Sequence, residues 1–101
     1  MDPEGMVGGF GSEKPANAEV QATCNKVKAQ FLKQSGKNAS KFKALVYKTQ
    51  IVSGRIYFVK VDTGDQCCHL KISVSLPHTG EDPQLSGYQC GKTKKEAITI
   101  F

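Results

Sequence analysis

The sequence predicts an α+β fold, one long α-helix packed across a curved antiparallel β-sheet of four to five strands. A change of hydrophobic period along the chain carries that expectation. Val20, Cys24, Val27 and Phe31 recur at spacings of four, three and four, drawing one apolar stripe, with Asn25, Lys26, Lys28 and Lys33 largely away from it. From Phe42 onward the period becomes two. Leu45, Tyr47 and Thr49 are expected on one face of a first long strand, and Tyr57, Val59 and Val61 on one face of the next. After a Gly64-Asp65 turn, Cys68, Leu70, Ile72, Val74 and Leu76 alternate with His69, Lys71, Ser73 and Ser75. Short turns join these strands into a meander. A striped helix and a sheet with one apolar face can bury each other.

The remaining elements follow in order. Residues 1–14 are glycine-rich and aperiodic, and are expected to be a flexible arm ahead of a single domain over residues 15–101. Asn17 is placed to cap the helix, Glu19 sits in its first turn near the positive end of the dipole, and Gly36 marks its end. Pro77 to Gly87 reads as a loop. Tyr88 to Gly91 and Ala97 to Phe101 supply the last strand region and a C-terminal tail.

Length and composition exclude several function classes. A chain of 101 residues makes one domain, too small for a deep multi-walled active site. No segment approaches the roughly 18–20 apolar residues of a membrane span, and Met1-Asp2-Pro3-Glu4-Gly5 lacks the apolar region of a secretory signal, so a cytoplasmic location is expected, with Met6 as a second candidate initiator. The net charge is +5, yet of the 14 basic residues only Arg55 is arginine and the lysines are scattered, which describes a solvated face and no nucleic-acid partner. Cys67, Cys68 and His69 have the residue types of a thiol nucleophile and its base, but consecutive strand residues face opposite ways and no third group orients the pair. His69 and His78 lie nine positions apart, no Cys-x-x-Cys occurs, and no strand precedes the glycines at 5, 8, 9 and 11, so neither a metal, a phosphate loop nor a cofactor is expected. The chain is not expected to be an enzyme. Of the four cysteines, Cys24 belongs to the helical stripe and the neighbours Cys67 and Cys68 point to opposite faces. Cys90 can approach Cys68 across a sheet, but the expected compartment is reducing and all four are read as free thiols.

Gln50-Ile51-Val52-Ser53-Gly54 is a five-residue break between the first two strand patterns, short enough for a direct hairpin. It puts two bulky β-branched residues at a tip, where they stand in water unless a partner covers them. Gly54 offers the positive φ that a tight hairpin end often requires. Taken alone, the pentapeptide is equally consistent with an ordinary hairpin whose apolar residues tuck back onto the sheet. It also fits the Gln-x-Val-x-Gly motif of the cystatins, inhibitors of papain-like cysteine proteases. Two further elements fall where that family has them: a glycine near the N-terminus, Gly8 in Met6-Val7-Gly8-Gly9, and a Leu-Pro turn in Leu76-Pro77-His78. The segments Lys14-Pro15-Ala16, Tyr47-Lys48-Thr49-Gln50, Tyr57-Phe58-Val59-Lys60-Val61, Ser75-Leu76-Pro77 and Gly87-Tyr88-Gln89 resemble the stefin branch, of the stefin A and stefin B type, in stefin order.

The resemblance implies the cystatin-like fold and a reversible, tight-binding inhibitor of papain and of cathepsins B, H, L and S. It implies a three-part apolar wedge that fills the protease cleft without offering a scissile bond. Carried over, Met6 and Val7 occupy the non-primed subsites, Gly8 lets the backbone pass close to the active site with Gly9 also among the protease-binding residues, and Gln50, Ile51, Val52, Ser53 and Gly54 with Leu76, Pro77 and His78 cover the primed side. It implies no disulfide, and a monomer with a domain-swapped dimer as its alternative assembly. A non-inhibitory interaction module with the same fold is the alternative reading.

Overall fold

The computed structural model of the chain describes residues 12–52, 54–74, 82–99 and 101, the side chains of residues 51 and 52 excepted. It contains β1 (Lys14–Pro15), α1 (Ala18–Ser35), β2 (Lys43–Val52), β3 (Gly54–Asp62), β4 (Cys67–Val74) and β5 (Gln84–Lys92). The strands form one antiparallel sheet in the order β1-β2-β3-β4-β5, and α1 lies across it, as the change of period predicts.

The helix begins and ends on local chemistry. Asn17 Oδ1 accepts the Val20 N–H at 2.9 Å, satisfying one of the first-turn donors that have no partner within the helix. Gly36 closes the helix in the left-handed region at φ 68°, its N–H donating to the Leu32 carbonyl at 3.0 Å. Val20, Cys24, Val27 and Phe31 are its buried residues, and they meet Tyr57, Val59, Val61, Cys68, Leu70, Ile72 and Leu85 from the sheet. Two glutamines then fix the crossing direction. Gln21 accepts from Ala44 N–H at 2.8 Å and donates to the Phe42 carbonyl at 2.9 Å, whereas Gln30 accepts from Leu85 N–H at 3.0 Å. Each satisfies main-chain groups just before or at the start of a strand, β2 in one case and β5 in the other, so the helix is stitched to both sides of the sheet.

Four expectations are corrected. The first concerns β2, where Ala44 pairs with Val61 but Val46 pairs with Lys60, leaving Leu45 as an extra residue. This bulge changes which side chains share a face, so Ala44 joins Tyr47 on the helix side and Leu45 does not enter the core. The second concerns the break at residues 50–54: Gln50, Ile51 and Val52 are paired with Ile56, Arg55 and Gly54, so the strands run almost to the tip. The third concerns Gln84 to Gly87, expected as loop. They belong to β5, because Leu85 turns inward and its backbone pairs with Ile72.

The fourth is the cysteine reading. Cys68 and Cys90 form a disulfide, while Cys24 and Cys67 are free and buried. Cys67 pairs with Lys92 and His69 with Gln89, so Cys68 faces a stretch of β5 holding one extra residue, and this bulge brings Cys90 to it. The expectation of free thiols came from compartment, which says nothing of geometry.

The sheet face away from α1 is covered as well. Residues 93–99 and Phe101 lie over it: Lys60 Nζ donates to the Lys94 carbonyl at 2.7 Å, Lys71 Nζ donates to the Phe101 main-chain oxygen at 2.9 Å, and the Phe58 and Phe101 rings meet edge to face at 5.5 Å. Beneath them Phe58 is fully buried and His69 and Ile98 are each 1% exposed. His69, which alternates with the apolar residues of β4, is therefore interior on the opposite face.

Candidate functional site

Register places three chain segments at one end of the sheet. The β2–β3 hairpin turns over between Val52 and Gly54, and Gly54 takes φ 123°, a conformation open to glycine and costly for residues with a Cβ. Val74, the last residue of β4, pairs with Arg55, next to that tip. β5 enters opposite Ser73, so the connection between β4 and β5 departs from and returns to the same end. Lys14 pairs with Tyr47 antiparallel to β2, which directs the chain preceding Lys14 toward the tip as well. The three segments expected to form a wedge thus join the described sheet at one end.

Of the residues expected in the wedge, Gln50 is partly buried and paired, Gly54 is buried, and Ile51 and Val52 are placed by their backbone. Met6, Val7, Gly8, Gly9, Ser53, Leu76, Pro77 and His78 lie outside the described residues. Around the base of the tip the structure gathers Tyr47, Thr49 and Tyr57, which the strand pattern places on strand faces, with Lys14 and Arg55, which it does not. Tyr47 and Tyr57 pack edge to face at 6.1 Å, and with Lys14, Thr49 and Arg55 they line a cavity of about 290 Å³ beside the start of α1. The cross-strand pairing of Thr49 with Tyr57 is the signal that could have grouped them.

A larger cavity, about 360 Å³, opens at the opposite end of the sheet. Its charges are already engaged: the Asp62 carboxylate meets Lys41 at 3.3 Å and Lys94 at 3.7 Å and accepts the Gly64 N–H at 2.9 Å. That backbone hydrogen bond, then the lysines, hold Asp62 below the usual carboxylate range despite its desolvation. This cluster closes the β3–β4 turn.

The Cystatin domain family matches residues 8–95. The chain belongs to the cystatin family. Among its relatives, leukocyte cysteine proteinase inhibitor 1 of Sus scrofa is 39% identical over 103 residues, covering 100% of both chains. Cystatin-A of Homo sapiens is 42% identical over 95 residues, covering 93% of this chain and 97% of that one. Cystatin-B of Bos taurus is 39% identical over 97 residues, covering 95% and 99%. These are relatives of the A and B type, the stefin branch that the ordered segments resemble.

Cystatins are protease inhibitors rather than enzymes, and the thiols of this one fit that class. Cys67 and His69 share the outer face of β4 and are 2% and 1% exposed. Burial, then the Asp62 charge, pushes the Cys67 thiol up, while burial and the neighbouring cations Lys60 and Lys92 push His69 down. Both groups are thereby held neutral, the reverse of an activated thiolate and imidazolium. Cys24, on the helix stripe, is pushed up to about 12 by burial. Among the described residues no cluster of His, Cys, Asp and Glu could hold a metal ion, and no helix is long and apolar enough to cross a membrane.

Proposed function

We propose that this cystatin is a reversible, tight-binding inhibitor of papain-like cysteine proteases, papain and cathepsins B, H, L and S among them. It inserts a wedge made of Met6–Gly9, Gln50–Gly54 and Leu76–His78 into the active-site cleft. Cysteine protease inhibition in general follows from the family and from relatives named for that activity. The observation that supports the wedge is the shared end: the hairpin tip, the end of β4 and the chain preceding β1 all leave the sheet there.

Reach supports the arm's part. The level of Val52 lies five residues beyond that of Tyr47, the partner of Lys14, a span of roughly 17 Å for extended chain. Five residues of extended arm ahead of Lys14 cover the same distance, enough for Gly8 and Gly9 to stand level with the tip. Energetics are adequate too. Burying five or six aliphatic side chains at ~1.5–3 kcal/mol each offers roughly 8–18 kcal/mol gross, from which translational and ordering costs are subtracted. The paired β2–β3 hairpin is ordered in advance; the arm bears most of the ordering cost, and so governs dissociation and selectivity.

We place the boundary between arm and domain at residue 14, the working form as a monomer, and the site of action in the cytoplasm, as the likeness to cystatins A and B suggests. Inhibition of active-site-titrated papain by the purified, folded chain tests the reading. No inhibition would leave a non-inhibitory interaction module built on the same fold.

A further inference from the structure

Glu13, just ahead of β1, is tied to the C-terminal segment through its side chain. β1 has only two residues, and Lys14 and Pro15 pair with Tyr47 and Val46. Lys14 shares the helix side of the sheet with Tyr47, so the preceding residue points to the opposite face by the alternation of an extended chain. There Glu13 Oε2 accepts the Ile98 N–H at 2.8 Å, a bond between residues 85 apart in sequence. The anchor is firm. Ile98 is 1% exposed, and its segment is held on either side by the Lys60 bond to Lys94 and the Lys71 bond to Phe101.

We infer that Glu13 is a positioning residue for the N-terminal arm: its carboxylate, held by the Ile98 N–H, sets the direction in which residues 1–12 leave the sheet. The inference rests on the wedge reading above, in which the arm enters the protease cleft. A two-residue strand fixes a direction weakly, because the chain can pivot about Lys14 once nothing holds the residue before it. A charge-assisted hydrogen bond to a buried main-chain donor removes that pivot, and leaves less ordering to be done on binding. The carboxylate touches no protease group and acts through the arm alone.

The test is a cycle of four proteins: the full chain, Glu13→Ala, the chain lacking residues 1–9, and the combination. Glu13→Gln serves as the conservative variant, because its side-chain oxygen still accepts from Ile98. Dissociation from papain is followed by displacement, with thermal melting to report folding. Glu13→Ala in the full chain is expected to dissociate about three- to tenfold faster, Glu13→Gln to recover most of that loss, and Glu13→Ala to have no effect once residues 1–9 are gone. Equal acceleration with and without the arm would show a merely structural role and overturn the inference. So would unchanged dissociation of Glu13→Ala when truncation itself is costly. If truncation is silent, the arm's place in the cleft fails first and the inference with it, an outcome recognisable because it appears in the truncated chain alone.

Discussion

Reducing the Cys68–Cys90 disulfide should weaken the fold substantially while leaving the inhibitory end intact. The bridge closes a segment with a sequence separation of 22 residues, for which the loss of loop entropy in the unfolded chain amounts to about 3 kcal/mol at 25 °C. That is a large share of the ~5–15 kcal/mol typical of a small domain, so the reduced protein should remain folded but with a midpoint lower by roughly 12–24 °C. Cys68 pairs with Val61 toward the far end of β3, away from Gly54, so the β2–β3 tip does not depend on the bridge. The assay is thermal unfolding of unreduced and phosphine-reduced protein, paired with thiol titration under denaturing conditions. Two thiols, those of Cys24 and Cys67, should react before reduction and four after it, with papain inhibition at room temperature unchanged. Four reactive thiols in protein never exposed to reductant, or coincident melting curves, would refute the reasoning. In a reducing cytosol the weaker dithiol form would be the working state.

Acid should destabilise the outer face through His69. Its imidazole is held below its ordinary value by burial, then by Lys60 of β3 and Lys92 of β5, against the opposing pull of Glu96 and Glu13, and neither ring nitrogen has a hydrogen-bond partner among the described residues. A depressed histidine contributes stability that is present above its unfolded value of about 6.5 and lost as pH falls through that value toward the folded one. Urea midpoints should therefore drop between pH 7.5 and pH 5, and His69→Leu should flatten that dependence; a parallel drop in both proteins would assign it elsewhere. Gentle heating below full unfolding should yield a domain-swapped dimer without papain inhibition, β2 and β3 opening at the tip into one long strand while the α1 half exchanges between copies. Replacing Ile51-Val52-Ser53 with Asn-Gly, a better turn, should suppress that dimer, and heated protein that elutes only as monomer, or a dimer that inhibits as well per chain, would argue against the hinge.

The parts of the fold that hydrophobic period encodes were legible. Val20, Cys24, Val27 and Phe31 are the four buried residues of α1, and Asn17 and Gly36 cap it. Period fails where a bulge inserts a residue: Leu45 in β2 and the extra residue of β5 near Cys90 depend on pairing between distant segments, which a single strand does not announce. It also fails for polar residues that act through the backbone. Gln21 and Gln30 look like ordinary solvated helix positions, yet they satisfy the main chain around the starts of β2 and β5. The outer core was not legible because its cover, residues 93–99 and Phe101, lies outside the periodic segments, and nothing local in Phe58 or His69 announces that cover. For the site, motif order was legible and the meander implied that its pieces share an end. The contact between Glu13 and Ile98 was not, since nothing local in either residue refers to the other.

The central claim, a non-covalent wedge in a papain-like cleft, is tested most directly by titrating papain of known active-site concentration with the folded chain, alongside papain whose catalytic thiol has been carboxymethylated. The account predicts a one-to-one end point with the active enzyme, full recovery of activity on displacement, and binding that persists, though weakened, on the blocked one. Papain left fully active by micromolar inhibitor, or binding that disappears altogether when the thiol is blocked, would contradict it.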